Sequence, residues 1–152
     1  MTVRTKEVHF PLTVEWIEGR RVSARVCGKR AIEIVPPPEF RGTDPTTWSP
    51  EDFFVGAAAS CLAVTFTGLA ARAGLPYSAL RVDADGVCGM RDDGRFGFTR
   101  LDLRLQVETD ADEMEARSAA TKAEETCLVS ASLDVPVEIV IDVVRPGVYA
   151  EA

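Results

Sequence analysis

Residues 53–71 read FFVGAAASCLAVTFTGLAA, 19 positions without a charge, and Cys61 stands near the middle. The residues that bound this run decide how it folds. Ser49 is a good helix N-cap, Pro50 suits the first helical position, and Glu51 and Asp52 complement the positive end of the helix dipole. Gly74 suits the position just past a helix end, and Pro76 prevents the helix from resuming. The spacing predicts one helix over about 50–73. A membrane span needs about 20 apolar residues. Here Gly56, Ser60, Thr65, Thr67 and Gly68 dilute the apolar character, and no positive cluster flanks the run on one side. The run reads instead as a core helix, buried on all sides.

Outward from this helix, the N-terminal third reads as a three-stranded meander. VHFPLTVEWI, RRVSARVCG and AIEIVPP are rich in β-branched or alternating residues, with turns at EGRR and GKR. The loop PPPEFRGTDPTTW follows, where the prolines and Gly42 oppose regular structure. Beyond the helix come the strands LRVDADGVCGM and GFTRLDLRLQVET around the turn RDDGR. Leu101, Leu103, Leu105 and Val107 alternate with Asp102, Arg104, Gln106 and Glu108, so one face is buried and one is wet. A second helix over about 111–126 and a last strand in VPVEIVIDVV complete the order β-β-β-α-β-β-α-β, and the tail RPGVYAEA reads as frayed. With no repeat and no linker, residues 1–152 form one domain. Its class is α+β, with the strands on one sheet and the helices on one side. One sheet covers one face of the central helix, so the helix calls for a homodimer in which two copies pack together. The many small residues suit such close packing.

A chain of 152 residues can bury a core without disulfides or metals. Its net charge of −7 disfavours nucleic acid and anionic membrane surfaces as partners. His9 is the one histidine, which argues against a histidine metal site or a Ser-His-Asp triad. No apolar secretory core is visible at the start, so a reducing cytoplasm is expected, where cysteines stay free or reactive. None of Cys27, Cys61, Cys88 and Cys127 belongs to a CxxC pair. Cys27 and Cys88, in strand-like segments, read as small core residues. A thiol in an apolar helix is raised in pKa and inert unless a cation lies near. The long helix supplies none near Cys61, so EGRR or FRG would have to deliver an arginine. Cys127 lies at the end of the second helix, where the dipole disfavours a thiolate. It is a poor first nucleophile and an adequate second thiol.

The string WSPEDFFVGAAASCLAVTFTGLAARAGLP, followed by EETCLVSASL, resembles the OsmC/Ohr family of thiol-dependent peroxidases. The likeness runs from EGRR through the final strand. It rests on SPE about ten residues before a cysteine in a small-residue helix, and on a second cysteine, in a CxxS setting, 66 positions on. The family's second cysteine is often followed by proline. Leu128 stands there instead, and the chain looks nearer to the OsmC-like branches than to the organic hydroperoxide resistance branch.

The resemblance implies an OsmC-like domain in an intertwined homodimer, with the central helices between sheets. It implies Cys61 as the peroxidatic thiolate, Cys127 as the resolving thiol, Arg20 as the residue that activates Cys61, and Glu51 as the group that orients the arginine. Arg21 and Arg41 compete with Arg20. Adjacent strand residues face opposite sides, so only one of Arg20 and Arg21 is expected at the site. Glu51 and Cys61, ten residues apart, are separated by about 15 Å along an unbroken helix. Either the helix kinks after SPE or Glu51 serves the partner's site. No bound cofactor or metal is implied. The substrate is a hydroperoxide, and the reductant is an external dithiol of lipoyl type or a lipoylated protein. Two other classes fit the same cysteine pair. A non-enzymatic stress or binding protein would show a raised Cys61 pKa and no disulfide after peroxide. A redox sensor would oxidise efficiently and turn over slowly.

Overall fold

The computed structural model describes residues 7–147. The elements run β1 (Thr13–Glu18), β2 (Arg21–Arg25), β3 (Ile32–Ile34), a single 3-10 turn (Pro38–Phe40), α1 (Pro50–Ala73), β4 (Ala79–Met90), β5 (Phe96–Glu108), α2 (Glu113–Thr126), the one-turn α3 (Leu128–Ala131) and β6 (Val137–Val144). The chain is mixed α+β in the expected order. The strands form two three-stranded sheets, β1-β2-β3 and β4-β5-β6, rather than one. Two compact units, Met1–Phe53 and Phe54–Ala152, contain them.

In the first unit, β1-β2-β3 is an antiparallel meander. Its first strand begins at Thr13, later than the predicted run from Val8. Val14 pairs with Ala24, Trp16 with Val22, and Ile34 and Ile32 continue the same rows. Directly opposed residues share a face, so these six side chains make one apolar face. That face is largely uncovered: Trp16 is 72% exposed and every residue of β1 is exposed. The start of α1 is capped as predicted. The Ser49 hydroxyl accepts from the Asp52 N–H at 3.1 Å, while the Asp52 carboxylate accepts from the Ser49 N–H at 2.7 Å. The two orphan donors are satisfied reciprocally.

In the second unit, β4 and β5 pair antiparallel, and β6 lies parallel against the other side of β5. The turn between β4 and β5 is closed by the Arg91 N–H on the Arg95 carbonyl at 2.8 Å, with Gly94 at φ +80°. Leu101, Leu103, Leu105 and Val107 are buried, as their alternation predicts. Against them lies one face of α1, made by Ala58, Leu62, Phe66 and Ala70. A second stripe, Ala116, Ala120 and Ala123 of α2, closes the same core and continues at helical spacing into Cys127.

α1 is one uninterrupted α-helix after its Ser-Pro-Glu start. It is long and apolar enough to cross a membrane by length and composition. Its buried stripe nevertheless belongs to a core shared with β5 and α2. The expectation of burial on every side does not hold in the single chain. Ala57, Ser60, Val64 and Gly68 form an exposed stripe, with Val64 69% exposed. One sheet can cover only one side of a helix. α2 begins at Glu113, two residues later than predicted, because Asp112 is its cap and accepts from the Met114 and Glu115 N–H groups. Of the predicted frayed tail, residues 148–152 lie outside the described residues. Arg145, at its start, donates to the Asp110 carbonyl at 2.7 Å.

Candidate active site

Cys61 sits mid-helix in α1, beside the buried stripe, and is half-buried. Cys127 is fully buried at the junction of α2 and α3. Its backbone is extended, at φ −65° and ψ 108°, so the chain leaves α2 there and re-enters a helix one residue later. The first N–H groups of a helix have no partner within it. Those of Leu128 and Val129 are turned to the Cys61 sulfur, together with the Cys127 thiol and the Thr65 hydroxyl. Burial pushes the Cys61 thiol up. The Val129 N–H, the Cys127 thiol, the Thr65 hydroxyl and the Leu128 N–H outweigh it, and the net pKa lies below the ordinary thiol value. Hydrogen bonds to the charged form favour that form. The Ser130 hydroxyl donates to the Cys127 sulfur at 3.3 Å. Within the second unit the fold thus brings together two sulfurs, two hydroxyls and two backbone donors.

The three candidate arginines gather in the first unit. Arg20, Arg21 and Arg41 line one cavity of about 400 Å³ with Gly42 and Asp44. Arg20 lies in the turn after Gly19 and not in β2, so strand alternation does not separate it from Arg21. Gly19 adopts φ +50° to make that turn. Arg21 opens β2 and is held by two carboxylates, Glu33 at 2.7 Å and Asp44 at 2.8 Å. The hydrogen bonds it donates to Asp44 and then to Glu33 raise its pKa. The Thr46 hydroxyl, Arg21 and the Thr47 hydroxyl hold the Asp44 carboxyl well below the usual carboxylate range. The charge of Arg21 is spent locally. Arg20 donates to the Phe40 carbonyl at 3.0 Å, and among the described residues no carboxylate pairs with it. Arg41 adopts the left-handed φ of +62° that ends the 3-10 turn. A Cβ on the next residue, Gly42, would run into the Pro36 carbonyl, so the loop folds only with glycine there.

Glu51 stands in the first turn of α1, and its Oε2 is buried without a hydrogen-bond partner among the described residues. A buried acceptor in that state costs free energy unless something meets it. Trp48 packs its ring on Phe53 at 5.5 Å between centroids, which accounts for part of the loop's apolar content. Cys27, read from sequence as a core residue, is exposed in the turn after β2, because the chain leaves the sheet at Arg25. Cys88 lies half-buried in β4.

Sequence reasoning looked for a cation beside Cys61 and did not find the hydroxyls or the backbone donors. Thr65 is one helical turn past Cys61, and Ser130 is three residues past Cys127, so both spacings were legible. The turn of chain that brings residues 128 and 129 to Cys61 was not.

Comparison with known proteins bears on the family and the fold. The model of the family described as OsmC-like protein matches residues 42–142, a span that includes Glu51, Cys61 and Cys127 but none of the three arginines. The chain is 26% identical over 140 residues to the uncharacterized protein YmaD of Bacillus subtilis (strain 168), covering 88% of this chain and 92% of that one. Its fold is similar to that of VCA0330, an OsmC-like protein of unknown function from Vibrio cholerae O1 biovar eltor str. N16961. The TM-score is 0.82 at 20% identity, over 89% of this chain and 99% of the other. It is also similar to an organic hydroperoxide resistance protein from Elizabethkingia anophelis, with a TM-score of 0.74 at 19% identity, over 92% and 98% of the two chains. With more than half of its length matched by the family model, the chain belongs to the OsmC-like protein family.

Proposed function

We propose that this protein is a dithiol peroxidase that reduces organic hydroperoxides. The observation that carries the reading is the packing of Cys61 against the core that holds Cys127, with the Cys127 thiol among the groups whose hydrogen bonds lower the Cys61 pKa. An inert core cysteine would be raised by burial. The Cys61 thiolate attacks the O–O bond of the hydroperoxide. A sulfenic acid forms on Cys61, and the alkoxide leaves and takes a proton to become the alcohol. Cys127 then attacks the Cys61 sulfur; the S–O bond breaks, the disulfide forms, and water departs with the Cys127 proton. An external dithiol of lipoyl type, free or on a protein, reduces the bridge and is itself oxidised to a disulfide.

Arg20 is the best of the three arginines for the thiolate, because Arg21 already serves two carboxylates. The unpartnered Glu51 Oε2 is an acceptor suited to orient such an arginine through a charge-assisted pair. A homodimer supplies the rest. The apolar face of the first sheet and the exposed stripe of α1 are surfaces that a second copy would cover, and Glu51 would then serve the partner's Cys61.

The test is mass spectrometry without reductant after one equivalent of cumene hydroperoxide. Wild type should form a Cys61–Cys127 bridge, Cys127→Ser should be trapped as sulfenic or higher acids at Cys61, and Cys61→Ser should not react. Unmodified thiols, or slow oxidation scattered to the exposed Cys27, would overturn the proposal.

A further inference from the structure

The hydroxyl of Ser130 has no evident task in folding. The single turn of α3 is already closed by the Ala131 N–H on the Cys127 carbonyl at 3.0 Å and by the Ser132 N–H on the Val129 carbonyl at 2.9 Å. The Ser130 side chain instead donates to the Cys127 sulfur at 3.3 Å. Cys127 is fully buried and Ser130 half-buried, so water competes little for this contact. A thiol alone in a core is free to change rotamer and to turn its proton. With a hydroxyl donating from one side, the Cys127 proton is directed away from Ser130.

We infer that Ser130 is a positioning residue for disulfide formation, holding the Cys127 thiol toward oxidised Cys61 so that the bridge closes before a second peroxide arrives. The inference rests on the peroxidase reading above. In the bridging step the Cys127 sulfur supplies the electron pair of the new S–S bond. The Cys61 S–O bond breaks, and the Cys127 proton leaves with the hydroxyl as water. In the competing step a second hydroperoxide oxidises the sulfenic acid to sulfinic acid and is itself reduced to the alcohol. The Cys127 orientation decides the ratio of the two, because both start from the same species.

The experiment follows the two steps separately in the full chain, by rapid quench and thiol trapping after cumene hydroperoxide. Ser130→Ala should oxidise Cys61 within about twofold of wild type. It should form the bridge roughly fivefold more slowly, the worth of one hydrogen bond. At excess peroxide it should accumulate Cys61 sulfinic acid. Ser130→Thr keeps the hydroxyl and should restore the bridging rate. Bridging by Ser130→Ala as fast as wild type overturns the inference. So does Ser130→Thr as slow as Ser130→Ala, which would mark a packing role. Wild type that neither consumes peroxide nor bridges would instead bring down the peroxidase reading itself.

Discussion

The Cys61 sulfur draws on donors from two places: Thr65 from its own helix, and the Leu128 and Val129 N–H groups with the Cys127 thiol from far along the chain. Each is neutral, yet together they outweigh burial, because a thiolate accepts them far more strongly than a thiol does. The sign follows directly. The thiolate is populated above the lowered pKa, and as the pH falls through that value the sulfur protonates and attack on peroxide slows. Thr65→Val has nearly the same shape without the hydroxyl. It should move the rate–pH curve to higher pH and reduce the rate below the midpoint by about fivefold. Stopped-flow peroxide consumption and the thiolate ultraviolet absorbance check this; an unmoved curve would show that Thr65 does not act on the sulfur. At this scale the sequence offered Cys61 and Cys127 as candidate thiols by type, and Glu51 only through the family resemblance. It left Arg20, Arg21 and Arg41 in competition, because which of them is paired with Glu33 and Asp44 depends on strand register.

Elements followed from short-range signals wherever those signals were strong. α1 begins after Ser49 and ends before Gly74 because the cap, the proline and the glycine act within one turn. α2 starts late because two aspartates, Asp110 and Asp112, compete for the cap, and only Asp112 turns its side chain to the helix. How close α1 comes to β4 was not legible. A Cβ built on Gly86 would lie 2.5 Å from Val55 Cγ2 and 2.7 Å from Phe98 Cε1. Gly86 is therefore a point of close approach between α1 and β4, next to the Phe54–Phe98 ring stack at 4.3 Å. Gly86→Ala should destabilise the protein by about 1–3 kcal/mol through overpacking. Equilibrium urea denaturation measures it, and an unchanged midpoint would mean that the neighbouring side chains yield freely.

For the molecule as a whole, exposure is the informative quantity. Soluble single chains rarely leave apolar side chains contiguous and bare. Here one face of β1-β2-β3 and the Ala57, Ser60, Val64 and Gly68 stripe of α1 are uncovered. If a second copy covers them, Val64→Glu places a charge in an apolar contact and should convert dimer to monomer in sedimentation experiments. If the protein is a monomer, the same substitution falls on open surface and changes stability by less than about 0.5 kcal/mol. Chain order, the ends of α1 and the wet and buried faces of β5 were readable in the sequence, because they depend on residues within a turn or two of each other. The division of the strands into two sheets, the parallel seat of β6 on β5, the exposure of Cys27 and the meeting of Cys61 with residues 127–129 were decided in three dimensions. Residues sixty-six positions apart share no local signal. They meet only because the alanine stripe of α2 and one face of α1 bury themselves in the same core.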